Sequence, residues 1–144
     1  MDREKLKEYF ANNSEVEFLD AAPRKIRFKS MDHETRYYCI AHQMNSRGKR
    51  HKSLAYLLAL NENIGANEDH LAACFDFEND VIHPEVLQEP WVTESDSRVL
   101  QLAFHLWDYD IPAEVREIFS CFEEIPYLSE AVQINVGKQQ RKQV

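Results

Sequence analysis

The chain has 144 residues, of which 44% are hydrophobic and 11% aromatic, so it can fold as one domain with a sizeable core. The longest apolar run, Leu54–Leu60, is far too short for a membrane span, and the charged amino terminus predicts no signal peptide. Three glycines in the whole chain argue against Gly-rich phosphate-binding loops.

The formal net charge of −8 is distributed unevenly along the chain. Residues 1–52 contain 12 Lys/Arg and 8 Asp/Glu, residues 53–136 contain 2 and 17, and residues 137–144 contain 3 and none. A body this acidic repels nucleic acid and attracts basic protein surfaces. We therefore expect a protein partner with a basic surface and no direct contact with nucleic acid.

The three cysteines, Cys39, Cys74 and Cys121, show neither metal-site nor redox-motif spacing. Each has apolar neighbours, which predicts buried free thiols. Free thiols are typical of a reducing compartment, so we expect a cytoplasmic protein.

The first third of the chain predicts helices and one extended segment. A first helix is expected from Asp2 to about Ala11, and the alternation over residues 24–29 predicts a short extended segment. Ser30 or Asp32 then caps a second helix that ends near Met44. Its core-facing residues are Tyr37, Ile40, Ala41 and Met44.

The middle of the chain begins with the one concentrated basic run, Arg47–Lys52, which we interpret as a solvated loop. A largely buried helix is expected over Ser53–Leu60. Asn67 caps the next helix, which ends near Phe75, and residues 76–80 form an acidic connection.

The acidic connection resembles the opening of a calcium loop, with oxygen ligands at Asp76, Glu78 and Asp80. That loop also needs Gly at its sixth position and Glu at its twelfth, where this chain has Val81 and Leu87. The sequence therefore predicts a solvated turn, no metal and no cofactor. A looser Mg²⁺ site that includes Glu85 is the alternative.

The stretch from Thr93 to Asp108 predicts the helix around which the rest packs. Thr93 and Asp96 form a capping box, and apolar residues cover most of the helix circumference. The polar residues form one narrow stripe. They are Arg98, Gln101, His105 and Asp108.

Two further helices are expected after the central one. The first starts near Pro112, and its core face is Val115, Ile118, Phe119 and Phe122. The second starts at Pro126, carries Leu128, Ala131, Val132 and Val136, and ends at Gly137. Together the elements predict an all-α fold, with a single domain over residues 1–137 and a frayed basic tail over residues 138–144.

Several stretches together resemble a known family. They are Phe28, His33–Tyr38, Leu54–Leu60, Phe75–Glu78, Ile82–Pro84, Trp91–Thr93 and Arg98–Trp107. The pattern is similar to a family of small uncharacterised helical proteins from Gram-positive bacteria and their phages, over about residues 28–107. The resemblance implies an intracellular protein associated with mobile elements, and it supplies no catalytic residues.

The leading functional hypothesis is a non-enzymatic binding protein whose acidic face engages a basic protein surface. With a mobile-element origin, its most concrete form is an inhibitor of a host defence nuclease, an anti-CRISPR-like mimic of nucleic acid. The candidate binding residues are Asp76, Glu78, Asp80, Glu85, Glu89, Glu94, Glu114, Glu117, Glu123 and Glu124.

Two rival classes stay open at this point. If the second and central helices pack together, His33, Arg36 and His105 form a polar cluster in which a histidine acts as general base. The simpler interpretation of these residues is that their hydrogen bonds fix the register of the helices. The other rival is a structural accessory protein that acts as a homodimer.

Overall fold

The computed structural model describes residues 25–137, in which helices predominate. The α-helices are α1 (Met31–Gln43), α2 (Lys49–Leu60), α3 (Glu62–Gly65), α4 (Glu68–Cys74), α5 (Glu94–Trp107), α6 (Val115–Ile118) and α7 (Ile125–Val136). A 3₁₀ helix covers Pro84–Gln88, and strands β1 (Phe75–Asp76) and β2 (Val81–Ile82) form an antiparallel hairpin. The predicted all-α fold is confirmed, with a small hairpin that the sequence did not predict.

Some predicted elements fall outside the described residues. They are the first helix, from residue 2 to about residue 11, and the tail over residues 138–144. Of the predicted extended segment, residues 25–29 are described, and they form no helix and no strand. Phe28 in this segment packs with its ring 5.3 Å from that of Tyr37, so the segment lies against the core.

Helix α2 is the centre of the fold. Its eight consecutive residues Ser53–Leu60 are each at most 4% exposed, because α1, α5 and α7 all pack against it. Helix α5 has the predicted position and is largely buried, but it keeps a half-exposed polar stripe. The predicted central place of residues 94–108 is therefore corrected to α2, whose residues Ser53–Leu60 are enclosed on every side.

The helix ends confirm the predicted caps. The Ser30 side chain accepts from the His33 N–H, and that of Asn67 accepts from the His70 N–H. Thr93 and Asp96 form the full capping box at the start of α5. Gly137 ends α7 in the left-handed region at φ 82°, which glycine adopts without a steric penalty.

The single turn of α3 folds back closely onto the end of α2, and Gly65 makes this approach feasible. A Cβ atom at residue 65 would lie 2.7 Å from the Leu58 carbonyl oxygen and 3.0 Å from the Ala59 Cα. Both neighbours are backbone atoms that cannot move aside, so the site requires glycine.

The segment between α5 and α7, residues 109–124, is called the strap here. The expected helix with a core face of Val115, Ile118, Phe119 and Phe122 is wrong, because α6 is a single turn that ends at Ile118. Ser120 donates its hydroxyl to the Glu117 carbonyl, a side-chain bond that competes with helix continuation. Of the predicted face, only Ile118 is buried, while Val115 and Phe122 are exposed.

The cysteines are free, as predicted, but they differ in burial. Cys74 is buried, and burial raises the pKa of its thiol to about 12, so the thiol is unreactive. Cys121 is half-buried. Cys39 lies on the outer face of α1 and is exposed, so the expectation that it is buried is wrong.

An aromatic cluster joins α1 to α2 around a buried histidine. The His33 ring lies 4.6 Å from that of Tyr56 and 5.2 Å from that of Phe28. Its Nδ1 accepts from the Lys29 N–H at 3.0 Å, which leaves Nε2–H to donate to the Tyr56 carbonyl at 3.0 Å. Both ring nitrogens are therefore satisfied in the neutral imidazole, and burial lowers the pKa of His33 from 6.5 to about 4.

The central position of α2 predicts a large cost for Leu57→Ala. Leu57 is fully buried, so truncation removes burial and leaves a cavity, which should lower the free energy of unfolding by about 2–5 kcal/mol. Urea denaturation monitored by circular dichroism measures this change. Met31→Ala, at an exposed apolar residue of α1, is the matched control and should stay within about 0.5 kcal/mol of wild type. A cost below about 1 kcal/mol for Leu57→Ala would contradict the central role of α2.

His33 predicts a specific loss of stability in acid. Above pH 6.5 the imidazole is neutral in the folded and the unfolded chain, whereas between pH 6.5 and about 4 only the unfolded chain binds the proton. Unfolding free energy should therefore fall by about 2–3 kcal/mol between pH 7 and pH 4.5 through this group.

The measurement compares urea denaturation of wild type and His33→Gln across that pH range. The variant should be less stable at pH 7 and should show a shallower decline towards acid. His42→Gln, on the exposed side of the same helix, controls for the loss of an imidazole as such. Parallel pH profiles for wild type and His33→Gln would refute the assignment.

Candidate protein-binding surface

Seven of the ten candidate acidic residues are exposed. They are Glu78, Glu85, Glu89, Glu94, Glu114, Glu117 and Glu123. They lie on the hairpin turn, the 3₁₀ helix and its end, the first turn of α5, and the strap. The sequence predicted the exposure of these residues, although it placed Glu114 and Glu117 on the outer face of a longer helix.

Glu124 is not exposed, because its carboxylate is hydrogen-bonded to residues of α5. Arg98 on α5 donates to both of its carboxylate oxygens, from Nε at 2.8 Å and from Nη2 at 3.0 Å. Ser95 adds a third donor at 2.6 Å. Burial alone would raise the pKa of Glu124, but these hydrogen bonds outweigh it and hold the pKa below its usual value. These hydrogen bonds hold the end of the strap against α5.

Asp76 and Asp80 also have structural roles, in the hairpin. Asp76 accepts from the N–H groups of Glu78 and Asn79 and from the Asn79 side chain, bonds that lower its pKa, with the Asn79 side chain contributing most. Asp80 adopts a left-handed conformation with φ 62° and accepts from His51 at 2.9 Å. The carboxylates of Asp76 and Asp80 therefore serve as acceptors within the protein, while Glu78 and Asn79 in the same turn are exposed to solvent.

The basic run is part of a helix, contrary to the predicted solvated loop. Helix α2 begins at Lys49, so His51 falls in its first turn and is buried against the edge of the Trp107 ring. The Arg50 guanidinium lies 4.0 Å from the Trp107 ring centroid and donates to the Trp107 carbonyl, which ends α5. Both side chains serve the packing of α2 on α5.

The structure does not bring His33, Arg36 and His105 into one site. Arg36 donates to the carbonyls of Ala59 and Leu60 at the end of α2, and it lines a depression with Asp96 at the start of α5. His105 lies nine residues further along α5, about 13 Å along its axis, and donates to the Ile111 carbonyl at 2.6 Å. The hydrogen bonds of each of the three side chains hold a helix end or a loop in place.

The depression beside Arg36 is an open hollow of about 370 Å³ between α1 and the start of α5. At its base, Asp96 is almost fully buried and accepts from the side chains of Asn61 and Asn63, at 2.9 and 2.6 Å, and from the Thr93 N–H. These donors satisfy the carboxylate, which therefore holds α3 against α5.

The side-chain arrangement offers no preformed metal site within residues 25–137. No group of three or more His, Cys, Asp or Glu side chains in that range lies close enough together to hold an ion. In the same range, none of the helices combines the length and the apolar character that a bilayer crossing needs.

The outer side of the strap is a feature that the sequence analysis missed. Phe122 is 88% exposed and Val115 is 63% exposed, although both were assigned to a core face. Glu114, Glu117 and Glu123 on the same segment are exposed as well. The helical spacing of the apolar residues concealed this surface, and the only contrary signals were Pro112 and the hydroxyl of Ser120.

The Arg98–Glu124 pair predicts a stability coupling between α5 and the strap. Arg98→Met leaves a largely buried carboxylate without its main partner and should lower the unfolding free energy by about 1.5–3 kcal/mol. Glu124→Gln and the double variant complete a double-mutant cycle, which measures the interaction itself. The pair of the half-buried His83 with the exposed Glu85 is the control, and Glu85→Gln should cost less than about 0.5 kcal/mol. Purely additive costs in the cycle would disprove the coupling.

Comparison with known proteins places the chain in a family. A family model described as a family of unknown function (DUF6075) matches residues 23–144. The match extends beyond the span of about 28–107 in which a resemblance was seen, so the strap and α7 belong to the family pattern too. No curated protein and no solved structure matches the chain. Since the family model covers most of the sequence, the chain belongs to DUF6075, a family of unknown function.

Proposed function

We propose that this protein is a non-enzymatic binding protein of the cytoplasm whose acidic surface engages a basic surface on a partner protein. The observation that carries the proposal is the exposure of seven candidate carboxylates in a stretch that has almost no cations. Residues 53–137 contain no lysine and only two arginines, and Arg98 is committed to Glu124. Arg116 is the remaining one.

Such a surface acts over a distance. Carboxylates of one sign that are not locally neutralised create a negative potential, which raises the rate of encounter with a cationic partner. The same field repels phosphate backbones, so the partner is a protein. The carboxylates of Asp76, Asp80 and Glu124 accept hydrogen bonds within the protein. The candidate binding residues are therefore the seven exposed ones.

The narrower form of the proposal is a phage or mobile-element inhibitor of a host defence nuclease. In that form the carboxylates occupy a groove that binds nucleic acid, in the manner of an anti-CRISPR protein. Its support is the acidic surface together with the resemblance to proteins of Gram-positive bacteria and their phages. The nuclease and its nucleic acid would then compete for one site.

The test uses a variant in which six exposed glutamates, Glu78, Glu85, Glu89, Glu114, Glu117 and Glu123, become Lys. Wild type and variant serve as paired baits in a lysate of the organism that encodes the chain, with quantitative mass spectrometry. Proteins retained by wild type should be lost from the variant, while the melting temperature stays nearly unchanged, because exposed charges contribute little to stability. A variant in which the same six glutamates become Gln should retain an intermediate amount of these proteins.

The captured partner then allows a kinetic test. Its association rate with wild type should fall at least tenfold between about 50 and 200 mM salt, because screening shortens the range of the field. Nucleic acid bound by the partner should compete if the nuclease form is correct. Salt-independent binding, or equal capture by wild type and the Lys variant, would refute the acidic-surface proposal.

A further inference from the structure

The strap has two sides with different chemistry. Its inner side, formed by Ile111, Ala113, Ile118 and Phe119, packs against the core. Its outer side carries Val115 and Phe122, which are largely exposed, among glutamates. A surface that combines an exposed aromatic ring with charge is typical of protein contacts, in which aromatic anchors contribute most of the affinity.

Phe122 projects from an ordered turn. The Ile125 N–H donates to the Phe122 carbonyl, and the Glu124 N–H donates to the Cys121 carbonyl at 3.0 Å. Glu124 itself is fixed to α5 through Arg98 and Ser95. The ring is therefore presented on a backbone that is already in place, which reduces the ordering cost of binding.

The other end of the strap is fixed as well. His105 donates to the Ile111 carbonyl, and the Tyr109 hydroxyl donates to the Asn135 side chain. Asn135 in turn donates to Ser53 on α2 and to the Leu106 carbonyl. Bonds to α5 and α7 thus hold the segment that carries the exposed side chains, and Asn135 links this end of the strap to α2.

The charge of the strap identifies the kind of partner. Residues 109–124 contain five acidic residues and one basic residue, Arg116. Since Glu124 is paired with Arg98, the four other acids and Arg116 leave a formal net charge of −3. Two copies that met through the same surface would bring like charges together, which disfavours a homodimer here. An anionic nucleic acid or lipid surface is repelled for the same reason.

We infer that the outer side of the strap docks a cationic amphipathic segment of the partner protein, whose apolar side covers Phe122 and Val115. Its lysines or arginines meet Glu114, Glu117 and Glu123 around these anchors. The inference rests on the proposed function and restricts it to one part of the acidic surface. Glu78, Glu85 and Glu89 then lie outside the contact.

The experiment uses two synthetic peptides of equal positive charge, each of about 18 residues or five helical turns. One has Leu and Lys on opposite faces of a helix, and in the other every Leu is replaced by Gln. Binding to the full-length protein is measured by isothermal titration calorimetry at low and physiological salt. Wild type should bind the Leu/Lys peptide at least tenfold more tightly than the Gln/Lys peptide, and Phe122→Ser should remove that preference.

Matched variants separate apolar anchoring from charge. Met31→Ser removes another exposed apolar side chain, far from the strap in sequence, and should bind both peptides as wild type does. The strap reversal Glu114→Lys, Glu117→Lys and Glu123→Lys should weaken both peptides at least tenfold. The distal reversal Glu78→Lys, Glu85→Lys and Glu89→Lys makes the same change in charge and should have less than a threefold effect.

Each contrary outcome has a distinct meaning. If the strap reversal abolishes binding but Phe122→Ser retains the peptide preference, the acidic surface stands and the apolar anchor is refuted. If only the distal reversal weakens binding, the site lies elsewhere on the acidic surface and the inference falls. If no reversal matters, the proposed function fails with it. A concentration-dependent dimer that Phe122→Ser abolishes would identify a second copy as the occupant and also overturn the inference.

Discussion

The enclosure of Ser53–Leu60, the last eight residues of helix α2, is the constraint on which the other elements depend. A helical run that is apolar on nearly all sides must be covered by neighbours all round, and here α1, α5 and α7 cover it. At its carboxyl end, Arg36 donates to the Ala59 and Leu60 carbonyls, which lack helical partners, and His33 donates to the Tyr56 carbonyl one turn earlier. The position of α1 therefore follows from what α2 requires, both along its sides and at its end.

The sequence predicted the features that depend on neighbours in the chain. The caps at Ser30 and Asn67 and the capping box of Thr93 are local hydrogen bonds, which the residue types and their spacing reveal. The same holds for the core face of α1, because its periodicity is regular over three turns. From such features, the predicted bounds of five of the seven described helices agree with the observed ones to within a few residues.

The sequence could not show which residues meet in space. Helix α5 was assigned to the centre because apolar residues cover most of its circumference. Its polar stripe stays half-exposed, however, whereas every residue of Ser53–Leu60 in α2 is buried. In the sequence Glu124 resembles the other surface acids, because its partner Arg98 lies 26 residues earlier in the chain. Phe122 has the spacing of a core residue, and only the early end of α6 at Ile118 leaves it outside.

The absence of lysine after Lys52 in the domain has a practical consequence for chemistry on primary amines. The lysines in the described part of the chain are Lys25, Lys29, Lys49 and Lys52, all of which precede the buried run of α2. Amine-reactive labels, crosslinkers and enzymatic acylation therefore have no target within residues 53–137. Coupling through amines would therefore leave the carboxylates and Phe122 chemically unmodified.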